Sequence, residues 1–193
     1  MMAQRVYNSS GKAGSSKKRK KHDGYDPALL VLGGGMNVGY SGDYANLGIS
    51  PKVGYKLTDF LAVGVGLGYQ YYKAPDFYFN DKLVYLHQNI VFPALWMKCM
   101  VYKNVYIAGD LEYNFIKQRS YAVKYNSITG LPDDLARVKL TASAPCALVG
   151  LGYKQSLGGR TTAVFEAMYD AIQDNYSPYR NIIVYRAGIF VGL

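Results

Sequence analysis

From Leu29 to Leu193 the chain alternates, with large apolar residues at every second position and small or polar residues between them, in eight successive stretches. In Leu61-Ala-Val-Gly-Val-Gly-Leu-Gly-Tyr-Gln-Tyr71 the odd positions carry Leu, Val, Val, Leu, Tyr and Tyr, and the even ones Ala, Gly, Gly, Gly and Gln. Successive side chains of a strand point to opposite faces, so each stretch predicts a strand with one apolar face and one small or polar face. The stretches fall at 28–40, 45–57, 60–73, 83–100, 104–117, 137–155, 161–171 and 181–193. A tilted strand needs about 9–11 residues to cross the hydrocarbon of a bilayer, roughly twice the length of a common soluble strand. The expectation is an all-β protein: an eight-stranded antiparallel up-and-down transmembrane β-barrel over 28–193, behind a disordered basic tail over 1–27.

Hydropathy and charge fit that expectation. No run of about 18 apolar residues is present, which excludes a helical span. A mean hydropathy of −0.07 is compatible with a transmembrane barrel, because half of each strand faces a polar lumen. Charged residues make up 18% of the chain, below the ~25% of soluble domains, as expected when lipid covers much of the surface. Cys99 and Cys146 lie in the fourth and sixth strands, two strands apart and too far for a disulfide, so both are expected free.

Residues 5–26 are a different polymer. Asn8 to Ser16 has a flexible linker composition, and Lys17, Lys18, Arg19, Lys20 and Lys21 follow as a basic run. The tail carries seven of the 22 Lys and Arg, leaving 15 basic against 11 acidic residues elsewhere. Its basic run is a solvated segment or a contact for acidic headgroups or an acidic partner; no nucleic-acid partner is expected. Ala3-Gln4 suits a signal-peptide cleavage junction, with 1–3 as the remnant.

Short polar connections at 57–60, 102–104 and 156–160 alternate with longer ones at 41–44, 74–82, 118–136 and 172–180. This is the asymmetry of outer-membrane barrels, whose short turns face the periplasm. Both termini then lie on the periplasmic side, and the long loops outside the cell. The charges keep to one strand face. Lys52 and Lys56 oppose Leu47, Ile49, Val53 and Tyr55; Asp110 and Glu112 oppose Ile107, Leu111, Tyr113 and Phe115; Glu166 and Asp170 oppose Phe165 and Tyr169; Arg186 opposes Tyr185, Ile189, Val191 and Leu193. A Lys or Arg on the lipid face costs about 2–4 kcal/mol at mid-membrane. These seven charged residues are therefore expected to form an inward network that plugs the lumen, with Gly64, Gly66 and Gly68 leaving room for the long charged side chains.

The fourth strand is apolar on both faces around Pro93, which predicts a bulge there or a wall packed against a partner or plug, with Phe92 and Trp96 as contacts beside the basic tail. Tyr40, Tyr55, Tyr69, Tyr71, Tyr113, Tyr153, Tyr169 and Tyr185 predict interfacial girdles. Tyr72, Tyr78, Tyr121, Tyr125, Tyr176 and Tyr179 fall at or in the predicted loops, where tyrosines suit a binding surface.

The segment Ile49 to Tyr71 has a Pro-x-x-Gly-Tyr strand, an Asp-centred turn and a Gly-alternating strand. It resembles a hairpin of the small Bacteroidetes-type outer-membrane barrels, the PorT-like and OmpA/OmpX-like group. The ending Tyr185-Arg-Ala-Gly-Ile-Phe-Val-Gly-Leu193 resembles their last-strand insertion signal, implying roles for Tyr185, Ile189, Val191 and Leu193 and an encounter with barrel-insertion machinery. The resemblance implies the fold and a location in the bacterial outer membrane among its lipids.

No catalytic, cofactor or metal site is expected. His87 has no Ser close in sequence for the His/Ser pair of lipid-modifying barrels, and the lumen carboxylates have cations on the same face. The function expected is non-enzymatic: a structural or accessory subunit of a larger outer-membrane complex for secretion, assembly or uptake, in contact with other outer-membrane or periplasmic proteins. The alternatives are a passive small-solute channel and a lipid-modifying enzyme.

Overall fold

The computed structural model describes residues 26–41, 43–125 and 132–193. Eight antiparallel strands close into one barrel, each bonded to its neighbours in chain order and the last to the first. They are β1 (Leu30–Ser41), β2 (Tyr44–Lys56), β3 (Leu61–Phe79), β4 (Lys82–Tyr102), β5 (Val105–Tyr125), β6 (Pro132–Gly158), β7 (Thr161–Asp170) and β8 (Ile183–Val191). A single 3-10 turn, Pro27–Leu29, precedes β1, capped by the Asp26 carboxylate, which accepts from the Ala28 N–H. Residues 1–25 of the predicted tail, with the basic run Lys17 to Lys21, lie outside the described residues.

The alternation predicts every strand, but three of the four longer connections differ. Segment 74–82 is not a loop: β3 and β4 continue through it to a two-residue turn, Asn80 and Asp81, both at positive φ. Asn and Asp are the residues that tolerate this backbone in a tight hairpin. A register shift between Pro75 and Phe77 breaks the alternation and hides the strand from the sequence. Most of 118–136 is likewise strand, with β5 and β6 paired out to Tyr125 and Pro132. The 41–44 connection is a tight hairpin, closed by the Ser41–Tyr44 pair. Among the described residues only 171–182 is a true long loop. The asymmetry of the two ends therefore arises chiefly from unequal strand lengths. β3 to β6 project beyond β7 and β8 as a four-stranded wall.

Pro93 causes no bulge. β3 pairs with β4 in one register from Leu61–Cys99 to Pro75–Tyr85, and the β4–β5 register is the same on both sides of Pro93. The ring faces outward, and the ladder to β5 is interrupted at Phe92 and Pro93, where the missing N–H costs nothing further.

The interior is filled by the even-numbered face of β2 to β8. Val31, Ala62, Trp96, Tyr106, Val164 and Phe190 pack toward the short turns, and Ile90, Phe92, Ile116 and Ala144 toward the long hairpins. Fully burying aromatic side chains of this size contributes about 1.5–3 kcal/mol each. The inward glycines serve these rings more than the charges. A Cβ on Gly54 or Gly64 would strike the Trp96 indole, one on Gly68 the Phe92 ring, and one on Gly152 the Tyr106 ring; only at Gly66 is the neighbour Lys52.

Candidate functional site

Alternation brings the charges into the lumen, and pairing between strands decides which of them meet. Asp110 on β5 is the hub: its Oδ2 lies 2.5 Å from Lys52 Nζ of β2 and accepts from Arg186 Nη1 of β8 at 2.9 Å. Arg186 Nη2 sits 2.8 Å from Glu112 Oε1 as an ion pair, outside hydrogen-bond angles. Five of the seven predicted residues are therefore in ion pairs: Lys52, Asp110, Glu112 and Glu166, which are buried, and Arg186, which is nearly so. Glu166 pairs with a residue that the alternation argument omitted, Lys98 of β4. The Tyr106 hydroxyl donates to the same Glu166 oxygen at 2.8 Å, and the Lys98 ammonium lies 4.8 Å and 4.9 Å from the ring centres of Tyr106 and Phe190. Parity with Trp96 would have placed Lys98 inward; the apolar run around it masked the signal.

Two predicted members do not join. Asp170 meets no cation among the described residues. Its carboxylate accepts from the Ala147 and Ile172 N–H groups at 3.0 and 3.1 Å and from Ser177 Oγ at 2.6 Å. Donors from backbone and hydroxyl satisfy a buried carboxylate as a counter-charge would. Lys56 stays at the short-turn rim, beside Lys154 and Arg160, where strand position keeps it out of reach of the buried acids.

The 171–182 loop turns into the barrel. Tyr179, expected on an accessible loop, is 3% exposed, with its hydroxyl accepting from Arg186 Nη2 at 3.3 Å and donating to Gln70 Oε1 at 3.5 Å. Ser177 donates its proton to Asp170, so the Cys146 thiol, 3.2 Å away, supplies the proton of the contact between them. Asn114 Nδ2 donates to the same sulfur at 3.2 Å. This chain of bonds anchors the loop. His87, the histidine weighed for catalysis, instead has Nδ1 2.9 Å from the Tyr71 hydroxyl. Cys99 and Cys146 are both free, and among the described residues no cluster of three or more His, Cys, Asp or Glu could hold a metal.

Phe92 and Trp96 are 4% and 2% exposed inside the lumen, so they cannot be surface contacts for a partner as expected; Val91, Pro93, Leu95 and Met97 form the outer face of β4. Trp96 packs edge-on to Phe190 at 6.0 Å, and its indole N–H donates to the Val65 carbonyl at 3.1 Å. Tyr185, Ile189 and Val191 lie on the outer face, but Leu193 does not. Gly192, at φ +90°, ends the alternation and folds Leu193 under the barrel.

The outside inverts the usual soluble pattern. Outward positions 30–38 of β1, 47–55 of β2, 61–71 of β3, 91–101 of β4, 105–115 of β5, 145–153 of β6, 161–169 of β7 and 183–191 of β8 carry no charged residue. Leu32, Ile49, Leu67, Leu95, Leu111, Leu151, Phe165 and Ile189 stand exposed around this belt. Lys73 and Lys117 bound it at one end and Lys103 at the other. Tyr69, Tyr113 and Tyr153 sit near its borders, with hydroxyls bonded to Asn89, Ser143 and Gln155.

No model of a known protein family matches the chain, and no curated protein matches it significantly.

Proposed function

We propose that this barrel spans a bacterial outer membrane as a non-enzymatic subunit of a larger outer-membrane assembly, of the PorT-like and OmpA/OmpX-like kind. The observation that carries the membrane reading is the uncharged apolar belt around all eight strands, outside a lumen that holds the buried charges. A soluble monomer does not expose so large a continuous apolar surface. β7 and β8, at 10 and 9 residues, have the length that a tilted strand needs to cross.

In this reading the short turns, with Lys103, Lys154 and Arg160, face the periplasm, and the long hairpins face outward. The side-chain-filled lumen argues against solute passage: cavities of about 670 Å³ and 340 Å³ open at the two ends and share no lining residue. The ion pairs, Trp96, Tyr106 and Phe190 fill the space between. What supports a partner is the projecting wall. β3 beyond Lys73 has no ladder to β2, β6 before Leu148 has none to β7, and Tyr78 and Tyr125 stand exposed at the hairpins. Open strand edges with aromatic side chains are surfaces that accept another chain.

Mild-detergent isolation of the tagged protein from native outer membranes, followed by mass spectrometry, tests this. A stoichiometric companion that is lost when β3 and β4 are shortened past Lys73 is the expected result. Recovery of the barrel alone would remove the accessory role. Monodispersity in detergent-free buffer would remove the membrane itself, and single-channel steps in a planar bilayer would favour a channel.

A further inference from the structure

The ring is closed by β1 and β8, and this seam is the shortest. Their ladder runs from Leu32–Val191 to Met36–Ala187 and stops. Beyond it β1 continues to Ser41 bonded only to β2, and β8 begins four residues earlier, at Ile183, bonded only to β7. Along those four residues, about 13 Å at 3.3 Å each, the wall has no β1–β8 bonds. Val38 and Tyr185 would face each other across the gap in the same register, and they are 70% and 71% exposed.

The 670 Å³ cavity lies at this gap. It is lined by consecutive residues 35–38 of β1 and 183–186 of β8. The side chains of Met36, Val38, Ile183 and Tyr185 point outward and those of Asn37 and Val184 inward, and the cavity meets both sets where the β1–β8 bonds are missing. Outside, the gap is framed by apolar Met36, Val38 and Ile183. Inside, it reaches side-chain amides. Asn46 Oδ1 accepts from Asn37 Nδ2 at 2.9 Å and from Gln70 Nε2 at 3.0 Å, with Gln88, Ser50 and the Phe92 ring nearby. Each amide NH₂ keeps a second N–H, whereas the guanidinium of Arg186 is already engaged by Asp110 and Glu112. Apart from Arg180, an exposed residue of the 171–182 loop that also lines the cavity, the chemistry it offers is therefore hydrogen-bonding and uncharged. The volume falls in the ~300–1,000 Å³ range of small-molecule sites.

Resting on the membrane reading above, we infer that the β1–β8 gap is a lateral portal through which a single-chain amphiphile enters from the bilayer. Its uncharged hydroxyl- or amide-bearing head would lie against Asn37, Asn46, Gln70 and Gln88, and its chain would leave between Val38 and Tyr185.

The test uses the full chain in dimyristoyl phosphatidylcholine nanodiscs doped with a monoacylglycerol that carries a nitroxide near its glycerol end. The expected result is loss of the Asn46, Gln70 and Gln88 side-chain amide signals in NMR, restored by excess unlabelled monoacylglycerol. The outward Leu111 signal should broaden without saturation. In Ser50→Leu, which fills the cavity, the lumen signals should persist while Leu111 behaves as before. Unaffected lumen amides beside a broadened Leu111 would overturn the portal. An unaffected Leu111 would overturn the membrane reading on which it rests. Amide exchange of the unmodified protein tests the gap without a ligand. At least one amide in each of the pairs Asn37/Val38 and Val184/Tyr185 should lack protection while Leu32 to Met36 retain it; equal protection would overturn the portal.

Discussion

Toward the short turns the lumen is packed solid around charge: Lys98 with Glu166, Lys52 with Asp110, and Trp96, Tyr106 and Phe190 between them. Toward the long hairpins the same eight strands enclose amides around a cavity, Asn37, Asn46, Gln70 and Gln88, and the wall itself parts between β1 and β8. The contrast follows from what each chemistry demands. A buried ion is tolerated only when a counter-charge is held in contact, which requires strands locked in register on all sides. Amides satisfy one another at modest cost and accept water or a ligand in place of a neighbour. The locked half sets stability, and the loose half is where binding can occur.

The largest expected effect lies in the locked half. Asp110→Asn leaves Lys52 and Arg186 short of a counter-charge and should cost about 3–5 kcal/mol. Urea unfolding from lipid vesicles, followed by fluorescence of Trp96, the one tryptophan, measures it. Replacing Lys98 by Met together with Glu166 by Leu should stay within about 1 kcal/mol of the parent, because a hydrophobic pair of similar volume avoids the desolvation penalty. A loss comparable with that of Asp110→Asn would mean that this ion pair contributes net stability. Gly54→Ala drives a methyl into the Trp96 ring and should cost about 1–3 kcal/mol, partly recovered by adding Trp96→Phe; both are followed by circular dichroism, since the double variant has no tryptophan.

Between the halves, Ser177→Ala removes one donor from Asp170 and should cost about 1–2 kcal/mol. Protease cutting within 171–182 and faster alkylation of Cys146 would report the loosened loop. In the open half, Asn46→Ala should cost only about 0.5–1.5 kcal/mol, since Asn37 and Gln70 can turn to other partners. If Asn46→Ala proved as damaging as Asp110→Asn, the division into a locked and a loose half would fail. Lys56→Ala, at the rim, should change stability by no more than about 0.5 kcal/mol.

Much of the architecture was legible in the residues. Strand number, the inward face of β2, β5, β7 and β8 and the tight turns near Asp59 and Asn104 follow from alternation and turn chemistry alone. The projecting parts of β3 to β6 were not legible, because a strand wetted on both faces has no reason to alternate and reads as loop. The fourth strand misled for the opposite reason. Its inner residues, Ile90, Phe92, Ala94 and Trp96, fill an apolar part of the lumen, so both faces are apolar, and Lys98 was lost among them.

The sequence by itself determined which side of the strand the charges of β2, β5, β7 and β8 would take, since period-two alternation is a local property of the chain. Only the tertiary structure decided that Asp110 would hold both Lys52 and Arg186, that Lys98 would claim Glu166, and that Asp170 would hold a loop instead of a cation. Those choices depend on the stagger between strands far apart in the chain. They depend equally on Ser177 and Tyr179 turning inward, and on where the β1–β8 ladder stops, none of which a local pattern encodes.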